Sequence, residues 1–122
     1  MAAVEVKFFK ETDGRYPGLE WLSSLPKKVQ VKAEVRIARL AEVGHHLKRP
    51  EADYLKDGIY ELRWRFQSVN YRILYFFFGR ELVVLASGLT KEDRVPEKEI
   101  ALAVERKKIF EQNPNGHIFE EE

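Results

Sequence analysis

The chain has 122 residues, of which 44% are hydrophobic and 34% are charged, so it can form one compact domain but not two with separate cores. Its 21 basic and 20 acidic side chains leave a net charge of +1, which excludes a strong bulk attraction to nucleic acid. No apolar run approaches the roughly 20 residues of a membrane span, and no cysteine is present for disulfides, thiolate metal sites or nucleophilic catalysis. Because residues 1–10 also lack the pattern of a secretory signal, we expect a cytoplasmic protein.

The N-terminal part predicts one strand and two helices. Residues 4–9 are rich in β-branched and aromatic side chains, which favours a strand. Turn formers then precede a short helix predicted over residues 18–24. A long helix is predicted from Pro26, which a first helical turn tolerates, to Gly44, a typical C-terminal cap.

The long helix carries apolar residues on two faces. The first face has helical spacing and is expected to lie on a sheet; it contains Val29, Ala33, Ile37, Leu40 and Val43. The opposite face carries Val31, Val35 and Ala38. We expect a neighbouring helix of the chain to cover this second face, and a partner protein is the alternative.

The next segment predicts a loop at residues 51–56 followed by a three-stranded antiparallel meander. Residues 60–66 alternate apolar and charged side chains, as in a strand with one buried face. Residues 71–78 are apolar nearly throughout, which is typical of a central strand. A hairpin turn at residues 79–80 then leads to a last strand over residues 81–89.

A final helix is predicted from Pro96 to about Asn113, with acidic residues in its first turn and basic residues later. The order of elements predicts an α+β fold. Its antiparallel twisted sheet would contain the N-terminal strand and the meander, with the two N-terminal helices packed on it and a C-terminal helix. We expect one domain over residues 1–114 and an acidic, frayed tail over residues 115–122.

Arginines within the predicted strands are the main candidates for function. Arg63 and Arg65 lie on one strand and Arg72 on the next, and a guanidinium among apolar neighbours needs a partner or a groove. One interpretation is a salt bridge from Arg72 to Glu61 across the sheet, and the other is a phosphate clamp. Residues 59–91 contain five basic and two acidic side chains, so a local positive field can exist under the near-neutral total.

Metal and cofactor sites are not indicated. His45 and His46 are adjacent, and chain neighbours project in different directions, so they do not form a ready metal site. The glycines form no phosphate-binding loop, and no serine lies in a nucleophile-elbow pattern. We therefore expect neither a metal nor another cofactor.

Three motifs occur in a characteristic order: GIYELRWRF at residues 58–66, YRILYFF at residues 71–77 and LVVLASGLTKEDRVPEKEIALA at residues 82–103. Together they resemble the RelE/ParE toxin superfamily, specifically its HigB-like, phage-derived branch, over roughly residues 4–110. The resemblance implies a small α+β toxin that a cognate antitoxin, expected to be a helix-turn-helix protein, neutralises. It also implies a ribosome-dependent endoribonuclease acting on mRNA, with no membrane association.

The resemblance also implies which residues of this chain form the site, by their positions in the three motifs. The residues implied to face the RNA are Arg63, Arg72 and Lys91, with Arg65 and Arg94 as further RNA contacts. Attack of a ribose 2′-hydroxyl on the adjacent phosphate builds negative charge that fixed cations stabilise. Because arginine is too basic to release its proton readily, the proton-transfer candidates are Lys91, Tyr71 and Glu61.

Two alternatives keep the same fold. The chain has Glu92 where the family often has a second lysine, and Gly88-Leu89 instead of the usual Gly-Phe. This departure, with the second apolar helix face, leaves open a non-catalytic module that binds RNA or a protein. The other alternative is a ParE-like inhibitor of DNA gyrase, which needs no catalytic residues.

Overall fold

The computed structural model describes residues 3–90 and 94–118. Its strands and helices follow one another as β1 (Glu5–Phe8), α1 (Pro17–Ser23), α2 (Lys27–Val43), β2 (Ala52–Lys56), β3 (Ile59–Phe66), β4 (Val69–Phe78), β5 (Leu82–Thr90) and α3 (Glu97–Gln112). Short 3-10 turns follow α2 and α3. The predicted helices and the predicted meander are thus present, with ends shifted by one or two residues.

The strands form one sheet in the order β1-β5-β4-β3-β2. The prediction of a purely antiparallel, four-stranded sheet is wrong in two respects. The first is that β1 pairs in parallel with β5, because the two N-terminal helices carry the chain across the sheet before the meander returns to β1. The second is that residues 52–56, predicted as a loop, form the edge strand β2 against β3. The sequence did not predict this strand because Asp53 and Lys56 are charged, and charged side chains are common on the edge strands of sheets.

Helices cover both faces of the sheet and create two apolar clusters. On one face, α1 and α2 bury Leu22, Val29, Ala33 and Leu40 against inward residues of β3, β4 and β5. Ile37 and Val43 pack against the same cluster, which confirms the predicted core face of α2. On the other face, Ile100, Ala103 and Phe110 of α3 pack against Leu74, Phe76 and Val84.

The second apolar face of α2 is exposed. Val31 is 48% accessible and Val35 67% accessible, and Ala38 is also exposed. The expectation that a neighbouring helix covers these residues is wrong, because α1 packs on β5 and α3 lies on the opposite face of the sheet. Among the described residues, no helix reaches this face.

The start of the acidic C-terminal segment contacts the residues that directly follow β1. The His117 ring stacks on Phe9 with centroids 5.6 Å apart, and its Nδ1 is 2.8 Å from the carbonyl oxygen of Lys10. Ile118 forms an isolated bridge with Phe9. Residues 119–122, which contain the three consecutive glutamates, lie outside the described residues.

Within the described ranges, no helix has the length and apolar character that crossing a bilayer requires.

Candidate nucleic-acid interface

The hairpin between β3 and β4 brings two arginines together. A two-residue turn at Gln67 and Ser68, both with positive φ (48° and 68°), joins the strands and pairs Phe66 with Val69. This register places Arg63 directly opposite Arg72. Because side chains alternate along a strand, Arg65 projects on the same face as Arg63.

A hollow of about 270 Å³ lies beside these arginines. Its lining includes four arginines, Arg36, Arg63, Arg65 and Arg72, together with Pro50, Trp64, Asn70 and Tyr71. The hollow forms where β2 stops pairing. The last β2–β3 pair joins Ala52 to Leu62, so the part of β3 that carries the arginines continues beyond its neighbour strand. Arg36 enters the lining from α2.

The hollow is positively charged because its arginines outnumber the carboxylates that pair with them. Arg36 is 2.9 Å from Glu51, measured from Nη1 to Oε2, and Arg72 is 2.9 Å from Glu61, measured from Nε to Oε1. Within residues 3–90 and 94–118, Arg63 and Arg65 form no ion pair. The arrangement therefore suits an anion, as the phosphate-clamp interpretation requires.

The predicted cross-strand salt bridge between Arg72 and Glu61 is confirmed. Both residues are buried, with accessibilities of 6% and 5%. Burial raises the pKa of the Glu61 carboxyl above its ordinary value, and the charges of Arg72 and Arg63 oppose that rise. Only Arg72 of the pair lines the hollow. Glu61 is thus placed to hold Arg72.

Stacked aromatic rings support the wall that contains Tyr71. Trp21 of α1 contacts Trp64 edge to face with centroids 6.1 Å apart, and Trp64 stacks on Tyr71 at 5.8 Å. Gly88 of β5 leaves the space that the Trp21 ring fills, since a Cβ there would overlap the ring. Tyr71 is only 8% accessible, so its position is set by packing.

Of the seven predicted site residues, four come together, two do not, and one lies outside the described residues. The hollow contains Arg63, Arg65, Tyr71 and Arg72 in its lining. Glu61 lies outside the lining, as described above. Arg94 is exposed near the start of α3 and does not line the hollow. Lys91 and Glu92 fall outside the described residues.

Sequence reasoning missed Arg36. A signal for it exists, because Arg36 follows Ala33 by three residues and precedes Leu40 by four, so it borders the core-facing stripe of α2. A charged residue at that border must reach past the edge of the core.

In the described part of the chain, no group of three or more His, Asp or Glu side chains could hold a metal ion. The ionisable side chains that line the hollow are four guanidinium groups and the phenol of Tyr71.

Comparisons with known proteins identify relatives of this chain. A family model described as "Phage derived protein Gp49-like" matches residues 20–108. Two curated relatives are both named "Probable endoribonuclease HigB1", one from Mycobacterium tuberculosis strain CDC 1551 / Oshkosh and one from strain ATCC 25618 / H37Rv. Each is 29% identical over 105 residues, which cover 85% of this chain and 82% of the relative.

The α+β fold and these matches define a toxin of the RelE/ParE superfamily. Within that superfamily, the chain belongs to the phage-derived Gp49-like family, on the HigB-like branch.

Proposed function

We propose that the protein is the toxin of a toxin-antitoxin pair and an endoribonuclease that cleaves mRNA on the ribosome. The names of the two mycobacterial relatives support ribonuclease activity. The single observation that carries the proposal is the pair of opposed arginines, Arg63 and Arg72, on the lining of an open hollow.

The opposed arginines suit the transition state of RNA cleavage. The ribose 2′-oxygen forms a bond to phosphorus while the bond from phosphorus to the 5′-oxygen breaks, giving a 2′,3′-cyclic phosphate and a 5′-hydroxyl. Negative charge on the phosphate oxygens grows as the reaction proceeds. Two fixed guanidiniums therefore bind the transition state more tightly than the substrate and lower the barrier.

Two protons must move during this reaction, one from the 2′-hydroxyl and one to the leaving 5′-oxygen. Tyr71 also lines the hollow, from the face of β4 opposite to that of Arg72, and a phenol hydroxyl can both donate and accept a hydrogen bond. We assign proton transfer at one of these oxygens to Tyr71. Glu61 holds Arg72 in place, and Lys91 supplies a further phosphate contact. The ribosome orients the mRNA strand, which reduces the demand on the toxin's own groups.

An antitoxin is the proposed protein partner. The exposed face of α2 that carries Val31, Val35 and Ala38 is an apolar surface on which an amphipathic segment of the antitoxin can pack. This face lies on a different side of α2 from Arg36, so inhibition and RNA binding can be separated by mutation.

The test is induced expression followed by primer extension on a defined mRNA, with wild type, Arg63→Gln and Arg80→Gln. Arg80 is an exposed arginine in the turn between β4 and β5 and does not line the hollow, so it is a matched control. We expect cuts with wild type and Arg80→Gln and a loss of at least 100-fold with Arg63→Gln. Equal cleavage by all three would refute the site, whereas intact mRNA together with inhibited gyrase supercoiling would refute the ribonuclease proposal.

A further inference from the structure

We infer that Arg36 of α2 binds a second phosphate of the RNA, next to the phosphate held between Arg63 and Arg72. The substrate strand then lies between α2 and the edge of β3 and is bound through at least two successive phosphates. This inference rests on the proposed function, because it concerns the same hollow.

Arg36 brings a guanidinium to the hollow from α2, which packs on the face of the sheet opposite to the one on which Arg63, Arg65 and Arg72 project. It lines the hollow with Arg63, Arg65 and Arg72 but comes from a helix, whereas the other three come from β3 and β4. Its side chain is 28% accessible, so it is neither buried in the core nor free in solvent. A guanidinium has five N–H donors, and the contact of Nη1 with one oxygen of Glu51 leaves others for a ligand.

Glu51 fixes the position of Arg36 relative to Arg63. Its Oε2 is 2.9 Å from Arg36, and its Oε1 is 3.4 Å from Nε of Arg39. Its backbone oxygen accepts a hydrogen bond of 2.9 Å from the backbone N–H of Arg63. The same residue therefore ties α2 to the strand that carries Arg63.

The hollow carries more positive charge than one phosphate group neutralises. Four guanidiniums line it, and within the described ranges two carboxylates, Glu51 and Glu61, pair with them. The remaining two positive charges match two phosphodiesters, each with one negative charge. A volume of about 270 Å³ is at the small end of ligand sites and suits a short piece of one strand, not a duplex.

Arg39 offers a matched control. It lies one turn after Arg36 on the same helix and contacts the same Glu51, but it is absent from the lining of the hollow. Replacing either arginine with glutamine removes one positive charge from α2 and one contact to Glu51. Only the change at Arg36 removes a group from the hollow.

The experiment measures binding of two uncleavable ligands by tryptophan fluorescence, since Trp64 lines the hollow. The ligands are a thymidine dinucleotide with one phosphate and a thymidine trinucleotide with two, neither of which has a 2′-hydroxyl. We expect wild type to bind the trinucleotide more tightly, with a salt dependence steeper by about 0.7 in log K against log salt concentration. Arg36→Gln should lose that difference, whereas Arg39→Gln should keep it.

A further variant, Arg36→Lys, should restore most of the salt dependence, because a lysine still offers one positive charge to the phosphate. Thermal unfolding of each variant shows whether it is folded at the assay temperature. Equal effects of Arg36→Gln and Arg39→Gln, or no gain in wild type from the second phosphate, would overturn the inference.

Failure of this inference and failure of the proposed function give different results. If the protein is not a ribonuclease, wild type leaves mRNA intact on ribosomes, and the binding difference between the two ligands remains. If the protein is a ribonuclease but Arg36 does not bind a phosphate, wild type cleaves mRNA, and Arg36→Gln binds the trinucleotide as wild type does.

Discussion

Arg63 of β3 lies directly opposite Arg72 of β4, so two like charges face each other across a pair of antiparallel strands. Opposed like charges in a sheet are destabilising, and opposite charges in the same position contribute roughly 0.2–1 kcal/mol. Glu61 offsets part of the repulsion through its ion pair with Arg72 at 2.9 Å. An anion bound between the guanidiniums would offset the rest, which links this local cost in stability to function.

Replacing Arg63 should therefore separate stability from activity. We expect Arg63→Gln to unfold with a free energy equal to wild type or higher by up to about 0.5 kcal/mol, because the repulsion with Arg72 is removed. Its RNA cleavage should fall by at least 100-fold. Urea unfolding and primer extension on the same preparations measure both quantities.

In contrast to Arg63→Gln, Arg72→Ala should destabilise the protein, because it leaves the buried carboxylate of Glu61 without its partner. Its free energy of unfolding should fall by about 3–5 kcal/mol. If Arg63→Gln destabilised the protein to a similar extent, the two arginines would both be structural and the stability argument for an anion site would fail.

Glu61 should give stability a distinct pH dependence. Burial raises the pKa of this carboxyl above its ordinary value of 4.5, so the folded protein binds the proton more tightly than the unfolded chain. The stabilising contribution of this difference is fully present below pH 4.5 and is lost as the pH rises through the folded-state pKa. Glu61→Gln removes the titration.

We therefore expect the free energy of unfolding of Glu61→Gln, relative to wild type, to rise with pH above 4.5 and then level off. Urea denaturation at a series of pH values measures the difference. Glu34→Gln, at an exposed position of α2, removes a carboxylate that is not the ion-pair partner of Arg72 and is the control. A difference that falls with pH would show that attraction to Arg72 outweighs burial.

The exposed face of α2 should be required for binding the antitoxin and not for cleaving RNA. Val35→Asp places a charge on an apolar surface that is 67% accessible, so the change in folding stability should stay within about 0.5 kcal/mol. Affinity for the cognate antitoxin should fall at least tenfold, because a charge is buried in the interface. Titration calorimetry with the antitoxin and primer extension test the two parts.

Leu102 provides the control for that prediction. It is an exposed apolar residue of α3 with 40% accessibility, on the other side of the sheet from Val35. Leu102→Asp should leave antitoxin affinity unchanged. Equal losses in both variants would mean that the antitoxin covers both helical layers or that any added charge weakens binding.

Local sequence patterns predicted most helices and strands of the fold, but they did not predict which distant strands pair with each other. The alternation in β3 and the helical stripe of α2 are properties of neighbouring residues, and they correctly predicted the strand and the core face of the helix. The expectation that the charged face of β3 is exposed is wrong for Glu61, which is 5% accessible because α3 covers that side of the sheet. The parallel pairing of β1 with β5 depends on the path of the chain across the sheet, which no local pattern records. The edge strand β2 has one free side and charged residues, so it lacks the apolar pattern of a central strand.

The candidate site shows the same division. Arg63, Arg65, Tyr71 and Arg72 lie close in sequence on one hairpin, so motifs could identify them together. Arg36 joins them only through the packing of α2 against β3, a contact between residues that are far apart in the chain. The exposure of Val31 and Val35 likewise depends on where α1 and α3 pack, which helical periodicity does not determine.

Replacing Gly88 with alanine should lower both the folding stability and the RNA cleavage of the protein. A Cβ at this position would overlap the Trp21 ring, so Gly88→Ala must displace that ring. Trp21 contacts Trp64, which stacks on Tyr71, and the displacement should therefore reach the wall of the hollow. We expect a loss of about 1–3 kcal/mol in the free energy of unfolding, together with reduced RNA cleavage.

Gly18→Ala is the control for this change, because a Cβ there meets its nearest atoms at 3.4 Å and the residue lies in α1, where alanine is the better helix former. Its stability and cleavage should match or exceed those of wild type. Trp21→Leu combined with Gly88→Ala should recover part of the lost stability, since a smaller side chain makes room for the new methyl group. If Gly88→Ala unfolded like wild type and cleaved RNA equally well, the aromatic stack would not be what positions Tyr71.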